Sequence, residues 1–201
     1  SLSAFYKLIK NPISRIEVAS AGGYLSYENI ADKATVAGVE VEVRKNLFVR
    51  PLSSAANGMN KLSFGLNGSY IYTNAKMPLA TVTTGSQLEG AAPWIANFDL
   101  YHNFTKGNHS FINTLVLNYV SDKIYTIGTQ GYQDIMEQGM MTLDFVSQAK
   151  LNKYVSLTLK ARNLLNPSYK LSRKANESGE KVVLSDYKKG INISLGVSCT
   201  F

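Results

Sequence analysis

The sequence predicts an all-β protein, and more narrowly an antiparallel transmembrane β-barrel. Segments of alternating apolar and polar residues recur along the 201 residues, and the spacers between them alternate in length. Charged residues make up 17% of the chain, whereas about 25% is typical of soluble domains. No run approaches the roughly 18 consecutive apolar residues of a membrane helix. Any passage through a membrane would therefore use strands, whose backbone groups are satisfied there only in a closed barrel.

Eight segments show strand periodicity, in which every second residue lies on the same face. In chain order they are 2–9, 36–47, 61–73, 94–104, 111–125, 141–151, 154–163 and 190–201. The last is the most regular, because apolar residues occupy every second position from Ile191 to Phe201. Few soluble domains end on a full strand, but the last strand of a barrel pairs with the first and so removes the open edge.

The spacers between these segments fall into two kinds. Those at 105–108 and 152–153 are short and have the residue types of hairpin turns, and 48–60 is an extended member of the same series. The long spacers are 10–33, 74–92, 126–139 and 171–188. Short and long spacers alternate, as they do in bacterial outer-membrane barrels, where the short turns are periplasmic. The spacing therefore predicts an outer-membrane barrel.

The polar faces of these segments carry charges that a dry core would not tolerate. Burying an unpaired ion costs several kcal/mol, whereas a wet lumen or a polar plug removes most of that cost. We expect the following side chains to line the lumen: Asp99, Tyr101, Asp144, Lys160 and Arg162. The alternative is a one-sided sheet whose polar face is solvated.

The long spacers contain candidates for ligand contact. Tyr24, Tyr27, Tyr125 and Tyr132 could stack on a ligand, or they could pack one loop against another. The densest basic cluster lies within 170–189. It would face lipopolysaccharide phosphates or an anionic ligand, or it is a solvated loop.

Other classes of protein find little support. The net charge of +7 comes from scattered residues without a nucleic-acid motif, so we expect no nucleic-acid partner. His102 and His109, the only histidines, flank one turn without a carboxylate at ligand spacing, so we expect no metal site. Catalytic and dinucleotide motifs are absent from the sequence, so we expect neither an enzyme nor a cofactor. Cys199 is the only cysteine and lies on the apolar face of the last segment, where it acts as a small hydrophobe.

Four stretches carry a resemblance to a known family. They are 2–13, the Gly-Val-Glu-Val-Glu of 38–42, the Asn-Leu-Leu-Asn-Pro-Ser-Tyr of 163–169, and the terminal 194–201. In this order they resemble the C-terminal region of TonB-dependent outer-membrane receptors, over nearly the whole chain. The terminus is also similar to the signal read by the outer-membrane insertion machinery: Ser194, Gly196 and Phe201 match it, whereas Cys199 stands where an aromatic residue is usual.

The resemblance implies a fold and a function. Residues 1–201 would be one segment, the C-terminal part of a barrel of about 22 strands with a plugged lumen. The plug and the TonB box of such a receptor would lie outside this chain. The implied function is active transport of a scarce ligand, such as a siderophore, vitamin, glycan or peptide, across the outer membrane.

The implied partners are the remainder of the same receptor, TonB, and outer-membrane lipid with lipopolysaccharide; a surface lipoprotein could cap the channel. The alternative, from another class, is a complete eight-stranded barrel that serves as a passive anchor or binding protein. A closed barrel of about eight strands has an interior filled by side chains. A native mass near 22.1 kDa would favour that alternative.

Overall fold

A computed structural model describes residues 1–18, 23–52, 58–75, 87–129, 131–175 and 179–200. Over these residues the chain forms strands only. They are β1 (Leu2–Lys10), β2 (Ile13–Glu17), β3 (Leu25–Asn29), β4 (Lys33–Pro51), β5 (Met59–Ala75), β6 (Trp94–Lys106), β7 (His109–Val120), β8 (Lys123–Thr126), β9 (Ile135–Glu137), β10 (Met140–Lys150), β11 (Val155–Arg162), β12 (Ser168–Lys174), β13 (Lys181–Lys188) and β14 (Asn192–Cys199).

The principal sheet has eight strands in the order β1-β4-β5-β6-β7-β10-β11-β14. Every neighbouring pair is antiparallel. All eight predicted segments supply a strand of this sheet, in the predicted order. Among the described residues no pairing joins β1 to β14, so the sheet is open at both edges.

One predicted segment is wrong in its extent. The segment 111–125 was expected to be a single strand, but β7 ends at Val120 and β8 belongs to a different sheet. The backbone of Ser121 donates to the Trp94 carbonyl at 2.9 Å, and the Trp94 backbone donates to the Ser121 hydroxyl at 3.0 Å. These bonds close the end of the sheet, and beyond them the chain turns away.

Three of the four long spacers contain further strands. The spacer 10–33 contains the β2–β3 hairpin, and β13-β12-β9-β8 form a four-stranded sheet built from 126–139 and 171–188 together with β8. An isolated parallel bridge between Ile16 and Ile127 joins β2 to the chain just after β8. We call β2, β3, β8, β9, β12 and β13 together the hairpin cap. It stands at the long-spacer end of the principal sheet.

The two faces of the principal sheet differ in polarity from edge to edge. Directly paired residues share a face, so the register can be followed across several strands. One row on the apolar face runs Val43, Leu66, Phe98, Leu117 and Leu143. The next row on the polar face runs Arg44, Gly65, Asp99, Val116 and Asp144. Many apolar side chains of this face are exposed, with Leu195 72% and Val39 44% accessible, because none of the described residues forms a layer over it.

The buried hydrophobic core lies under the hairpin cap and not against the middle of the principal sheet. Its members are Ile16, Ile30, Ala31, Ala34, Ala75, Leu88, Ile124 and Ile127. They come from β2, β8, the start of β4, the end of β5 and the chain segments between them. The long-spacer segments are therefore ordered by a core of their own.

The segment 163–166 fixes the point at which the chain leaves the principal sheet after β11. Asn163 and Asn166 both have positive φ, 58° and 45°, a conformation that asparagine tolerates better than most residues. The Asn163 side-chain amide donates to the Gly190 carbonyl at 2.7 Å, and the Gly190 backbone donates to the Asn166 side chain at 3.0 Å. The Asn163 backbone donates to Asp144 Oδ1 at 2.8 Å. This clamp holds the exit from β11 beside the entry into β14.

Replacing both asparagines of the clamp, Asn163→Ala with Asn166→Ala, should destabilise the sheet by about 2–4 kcal/mol, since each site loses a hydrogen bond and retains a strained φ. The measurement is heat modifiability. Samples of the barrel in detergent are heated to increasing temperatures, and electrophoresis gives the temperature at which the folded form is replaced by the unfolded form of different mobility. The control is Asn108→Ala in the exposed β6–β7 turn, which should leave that temperature unchanged. An equal effect of both changes would contradict the clamp.

Candidate functional site

The polar face of the principal sheet is the surface on which chemistry-bearing side chains collect. One row across it contains Asn67, Asn97, Asn118 and Thr142. The Asn97 amide donates to Asn67 Oδ1 at 3.3 Å, and the Asn118 amide donates to Thr142 Oγ1 at 3.4 Å. This row spans four strands and presents amides and a hydroxyl, which can both donate and accept hydrogen bonds.

In the adjacent row of the polar face, a carboxylate on β6 lies against a glycine on β5. Asp99 on β6 pairs with Gly65 on β5, and Gly65 pairs with Arg44 on β4. A Cβ built on Gly65 would lie 2.3 Å from Asp99 Oδ1, so only glycine lets the carboxylate lean across this strand. Arg44 Nε forms an exposed ion pair with Glu42 at 2.5 Å. The row thus presents both signs of charge on one stretch of wall.

A hollow of about 680 Å³ opens on this part of the polar face. We call it the β4–β7 hollow. Its polar lining includes Arg44, Lys61, Ser63, Asp99, Tyr101 and Thr114. Two of the predicted lumen residues, Asp99 and Tyr101, therefore meet in it. Tyr101 pairs directly with Ser63 on one side and Thr114 on the other.

Two more predicted lumen residues meet in a second hollow, of about 380 Å³, near the clamp. Asp144 and Arg162 both line it, together with Tyr169 and Lys189. Asp144 also accepts the clamp's hydrogen bond from Asn163, so part of its role is structural. Lys160 lies apart from both hollows, exposed on the same face in register with Val146 and Ser194.

The comparison with protein families agrees with this two-faced wall. The family model described as "TonB dependent receptor-like, beta-barrel" matches residues 1–164. The chain belongs to this family. The comparison with curated proteins found no match, and neither did the comparison with solved structures.

Family membership explains the arrangement of the receptor barrel in outline. TonB-dependent receptors are outer-membrane transport proteins, and the complete receptor interacts with a plug and with TonB. The match extends from β1 to the residues just after β11. In barrels of this kind an apolar outer face meets lipid and a polar inner face meets the lumen, and the two faces of this sheet match that division.

Three of the four candidate tyrosines contact arginines of the hairpin cap. The Arg15 guanidinium lies 4.3 Å from the ring centre of Tyr125 and 5.8 Å from that of Tyr27. Arg173 lies 5.6 Å from the ring centre of Tyr132. Tyr125 and Tyr132 thus contact arginines from a different part of the cap, whereas Tyr27 and Arg15 lie on the same hairpin. Tyr24 is 71% exposed.

Ion pairs join the hairpins of the cap across long distances in sequence. Arg173 on β12 pairs with Glu17 on β2 at 2.5 Å, and both side chains are largely buried. Arg15 lies 3.7 Å from Glu89, and Lys123 lies 3.2 Å from Glu137. Burial tends to lower the pKa of Arg15, but a hydrogen bond with Tyr27 and the nearby tyrosines and Glu89 raise it overall. Arg15 therefore stays charged within the cap.

The basic cluster of 170–189 is partly neutralised. Lys170 pairs with Asp186 at 3.2 Å, and this hydrogen bond lowers the pKa of the Asp186 carboxyl. Lys174 and Lys181 line a hollow of about 310 Å³ beside Asp122. Much of the positive charge in this cluster therefore faces acidic groups of the same chain.

The residues of the terminal signal lie on the last strand. Ser194 pairs with Lys160 and Gly196 pairs with Thr158, both on the polar face. Phe201 lies outside the described residues. The ion pairs of Arg15 with Glu89 and of Arg173 with Glu17 were not predicted from the sequence. Nor was the alignment of Asn67, Asn97, Asn118 and Thr142 in one row, although asparagine recurs on successive polar faces.

The described ranges contain no group of three or more His, Cys, Asp or Glu side chains placed to hold a metal ion. His102 Nε2 lies 3.0 Å from Asn60 Oδ1. The described part of the chain has no helix with the length and hydropathy needed to cross a membrane.

Glu17→Gln should loosen the hairpin cap of the receptor. The substitution leaves the guanidinium of Arg173 largely buried without its carboxylate, which costs about 3 kcal/mol. Hydrogen exchange at the backbone amides of β2 and β12 should accelerate, while exchange in β5 and β6 stays unchanged. The control is Glu42→Gln, which breaks the exposed pair with Arg44 and should leave exchange in β2 and β12 unchanged. Unchanged exchange in Glu17→Gln would refute the role of the pair.

Alkaline pH should weaken the cap through Tyr169. Burial, followed by the charge of Glu137 and the hydrogen bond to it, raises the pKa of Tyr169 to about 12. The folded state therefore favours the neutral phenol, so its contribution is intact below about pH 10 and is lost as the pH rises through about 12. Tyr169→Phe should lose less thermal stability between those values than the wild type. The exposed Tyr154 provides the control, Tyr154→Phe.

Proposed function

We propose that this chain forms part of the wall of an active transporter that moves a scarce ligand across the outer membrane. The observation that carries the proposal is the division of the eight-stranded sheet into an apolar face and a polar, charged face. The apolar face can be buried against lipid tails, and the polar face can form hydrogen bonds with water in the lumen and with a polar plug. Energy would reach the plug through TonB.

The polar face is suited to contact with a plug that must later move. Its side chains are amides, hydroxyls and charges of both signs, which form many individually weak bonds in the presence of water. Such bonds can be exchanged for bonds to water when the plug is displaced. We assign the β4–β7 hollow, with Asp99 and Tyr101, to this contact, and Asp144, Lys160 and Arg162 to the remainder of the path.

The hairpin cap would then form part of the ligand entrance. Its own core and ion pairs hold Tyr24 at the surface, whereas Tyr27, Tyr125 and Tyr132 are engaged with arginines. We assign ligand stacking to Tyr24 and a supporting role to the other three. The ligand would be a siderophore, vitamin, glycan or peptide.

The alternative of a complete eight-stranded passive barrel is less favoured. That barrel requires β1 to pair with β14, and in the described residues these strands are the two open edges of the sheet. The mass of the native protein separates the two proposals. A mature protein near 22.1 kDa supports the small barrel, whereas a much larger one supports the receptor.

Transport should depend on the sign of charge at Asp99. We expect Asp99→Lys in the intact receptor to reduce TonB-dependent uptake about tenfold or more, because it adds a fourth cation to Arg44, Lys45 and Lys61 in the β4–β7 hollow. The probes are a ferric siderophore, cobalamin, an oligosaccharide and a peptide, each supplied as the limiting nutrient to cells that lack the native receptor.

The control is Asn108→Lys in the exposed β6–β7 turn, outside both the lumen wall and the cap. It adds a cation away from the proposed path and should leave uptake unchanged. Both variants should reach the outer membrane in equal amounts. Growth on all four nutrients that is indifferent to the receptor and to TonB would refute the proposed transport.

A further inference from the structure

The lipid-facing side of the sheet carries a hollow of about 620 Å³. It lies over Gly68 and Ala96, which pair directly. A Cβ added to Gly68 would meet no heavy atom within 4 Å, so the floor of the hollow is open. Its walls include Val39, Val41, Leu66, Tyr70 and Trp94. A depression with walls of this kind has the shape and chemistry to hold a flexible hydrocarbon chain. We call it the Gly68 groove.

Two lysines face each other above the groove, at the long-spacer end of the same face. Lys10 ends β1, Lys33 begins β4, and the two pair directly. Strand alternation places Lys10 on the face of Tyr6 and Leu8, which are 69% and 54% exposed. Like charges directly opposite each other destabilise a strand pair. A bound anion would remove this repulsion.

No acidic side chain of the described residues compensates the two lysines. Neither Lys10 nor Lys33 forms an ion pair within the described ranges. Asp32, the nearest acidic residue in sequence, accepts the Asn11 backbone hydrogen bond through its own carbonyl. Lysine is a common ligand of phosphate, and two ammonium groups on one surface match the charge of a phosphate monoester.

The depth of the groove fits a lipid held by these lysines. Val39 and Val41 follow Lys33 on the same strand at a rise of about 3.3 Å per residue, which places the groove roughly 20–26 Å further along β4. A strand tilt of about 40° reduces this to roughly 15–20 Å of depth. The hydrocarbon core is about 30 Å thick, and the headgroup layers add roughly 5–7 Å on each side. With the lysines among the headgroups, the groove lies roughly 8–15 Å into the hydrocarbon, within the leaflet nearest the lysines. Tyr72 pairs with Ala37, between Lys33 and the groove, where aromatic girdles form.

We propose that this surface binds one phosphorylated lipid of the outer leaflet, with its phosphate between Lys10 and Lys33 and one acyl chain in the Gly68 groove. The lipid is a glycolipid with a phosphate monoester, because that headgroup supplies the charge the lysine pair lacks. The proposal depends on the membrane position of the sheet and is independent of any transported ligand. The bound lipid joins β1, β4, β5 and β6 from the outside.

The test uses the intact receptor, extracted from outer membranes, stripped of lipid and titrated with lipid A while native mass spectrometry counts bound molecules. Lys10→Ala with Lys33→Ala should weaken binding at least tenfold, because each lysine near an anionic lipid contributes on the order of a fivefold gain. Gly68→Leu fills the groove and should weaken binding about tenfold as well. Lipid A without its phosphates should bind the wild type as weakly as lipid A binds the lysine variant.

Two controls match these changes on the same sheet. Lys106→Ala with Lys153→Ala removes two lysines at the short-turn end, and Ala149→Leu adds the same bulk to the apolar face away from the groove. Both should bind lipid A like the wild type. Equal folding of every variant is checked by gel mobility before and after heating, so that a loss of binding cannot be a loss of structure.

Several outcomes would overturn the proposal. Binding that is the same in all variants would refute the site. A loss in the lysine variant alone would refute the groove, and competition by inorganic phosphate as effective as that by lipid A would show a free-anion site instead. Association of two receptors that disappears in Gly68→Leu would show a protein partner. Nutrient uptake that is unaffected by these variants separates the lipid site from the transport function.

Discussion

The absence of water inside the bilayer is the constraint on which the rest of this structure depends. A backbone N–H or C=O left unpaired in hydrocarbon costs several kcal/mol. The antiparallel ladders of the eight-stranded sheet meet that demand from β1 to β14. Once the backbone groups of neighbouring strands are paired, each side chain points to one of the two faces of the sheet. A slip of one residue in the pairing would move every side chain of that strand to the other face. The strict alternation of the sequence therefore protects the register as well as the solubility of each face.

Outside the bilayer that constraint ends, and the protein changes its way of folding. The hairpin cap has a hydrophobic core, ion pairs and cation–π contacts, as a small soluble domain does. β4 and β5 belong to both regions, because their 19 and 17 residues exceed the 9–11 that a membrane strand needs. Ala34 and Ala75 pair at their upper ends and enter the buried core of the cap. The cap is thus built directly on strands that the membrane already holds straight.

The sequence predicted what depends on neighbouring residues. All eight membrane segments, their faces and the parity of their spacers follow from a period of two and from turn composition, which are local signals. The hairpin cap was not predicted, since its strands are short and its contacts join distant residues, such as Glu17 with Arg173. The break after Val120 was missed because Leu115, Val116 and Leu117 run together and blur the alternation across 111–125. Asp99 and Tyr101 share the polar face, as the alternation predicted, but their meeting with Arg44 and Lys61 required the register of two strand pairs, β4–β5 and β5–β6.

The clamp at Asn163 and Asn166 has a consequence for how such a wall can vary. Because these residues bind Gly190 through both its carbonyl and its N–H, the chain leaves the sheet and returns to it at one spot. Whatever lies between them, here β12 and β13, is an excursion whose ends are already tied together. Its length and sequence are free to change without moving a single rung of the sheet below. The clamp therefore allows the outward-facing segment between its two ends to differ in length and sequence while the sheet keeps its register.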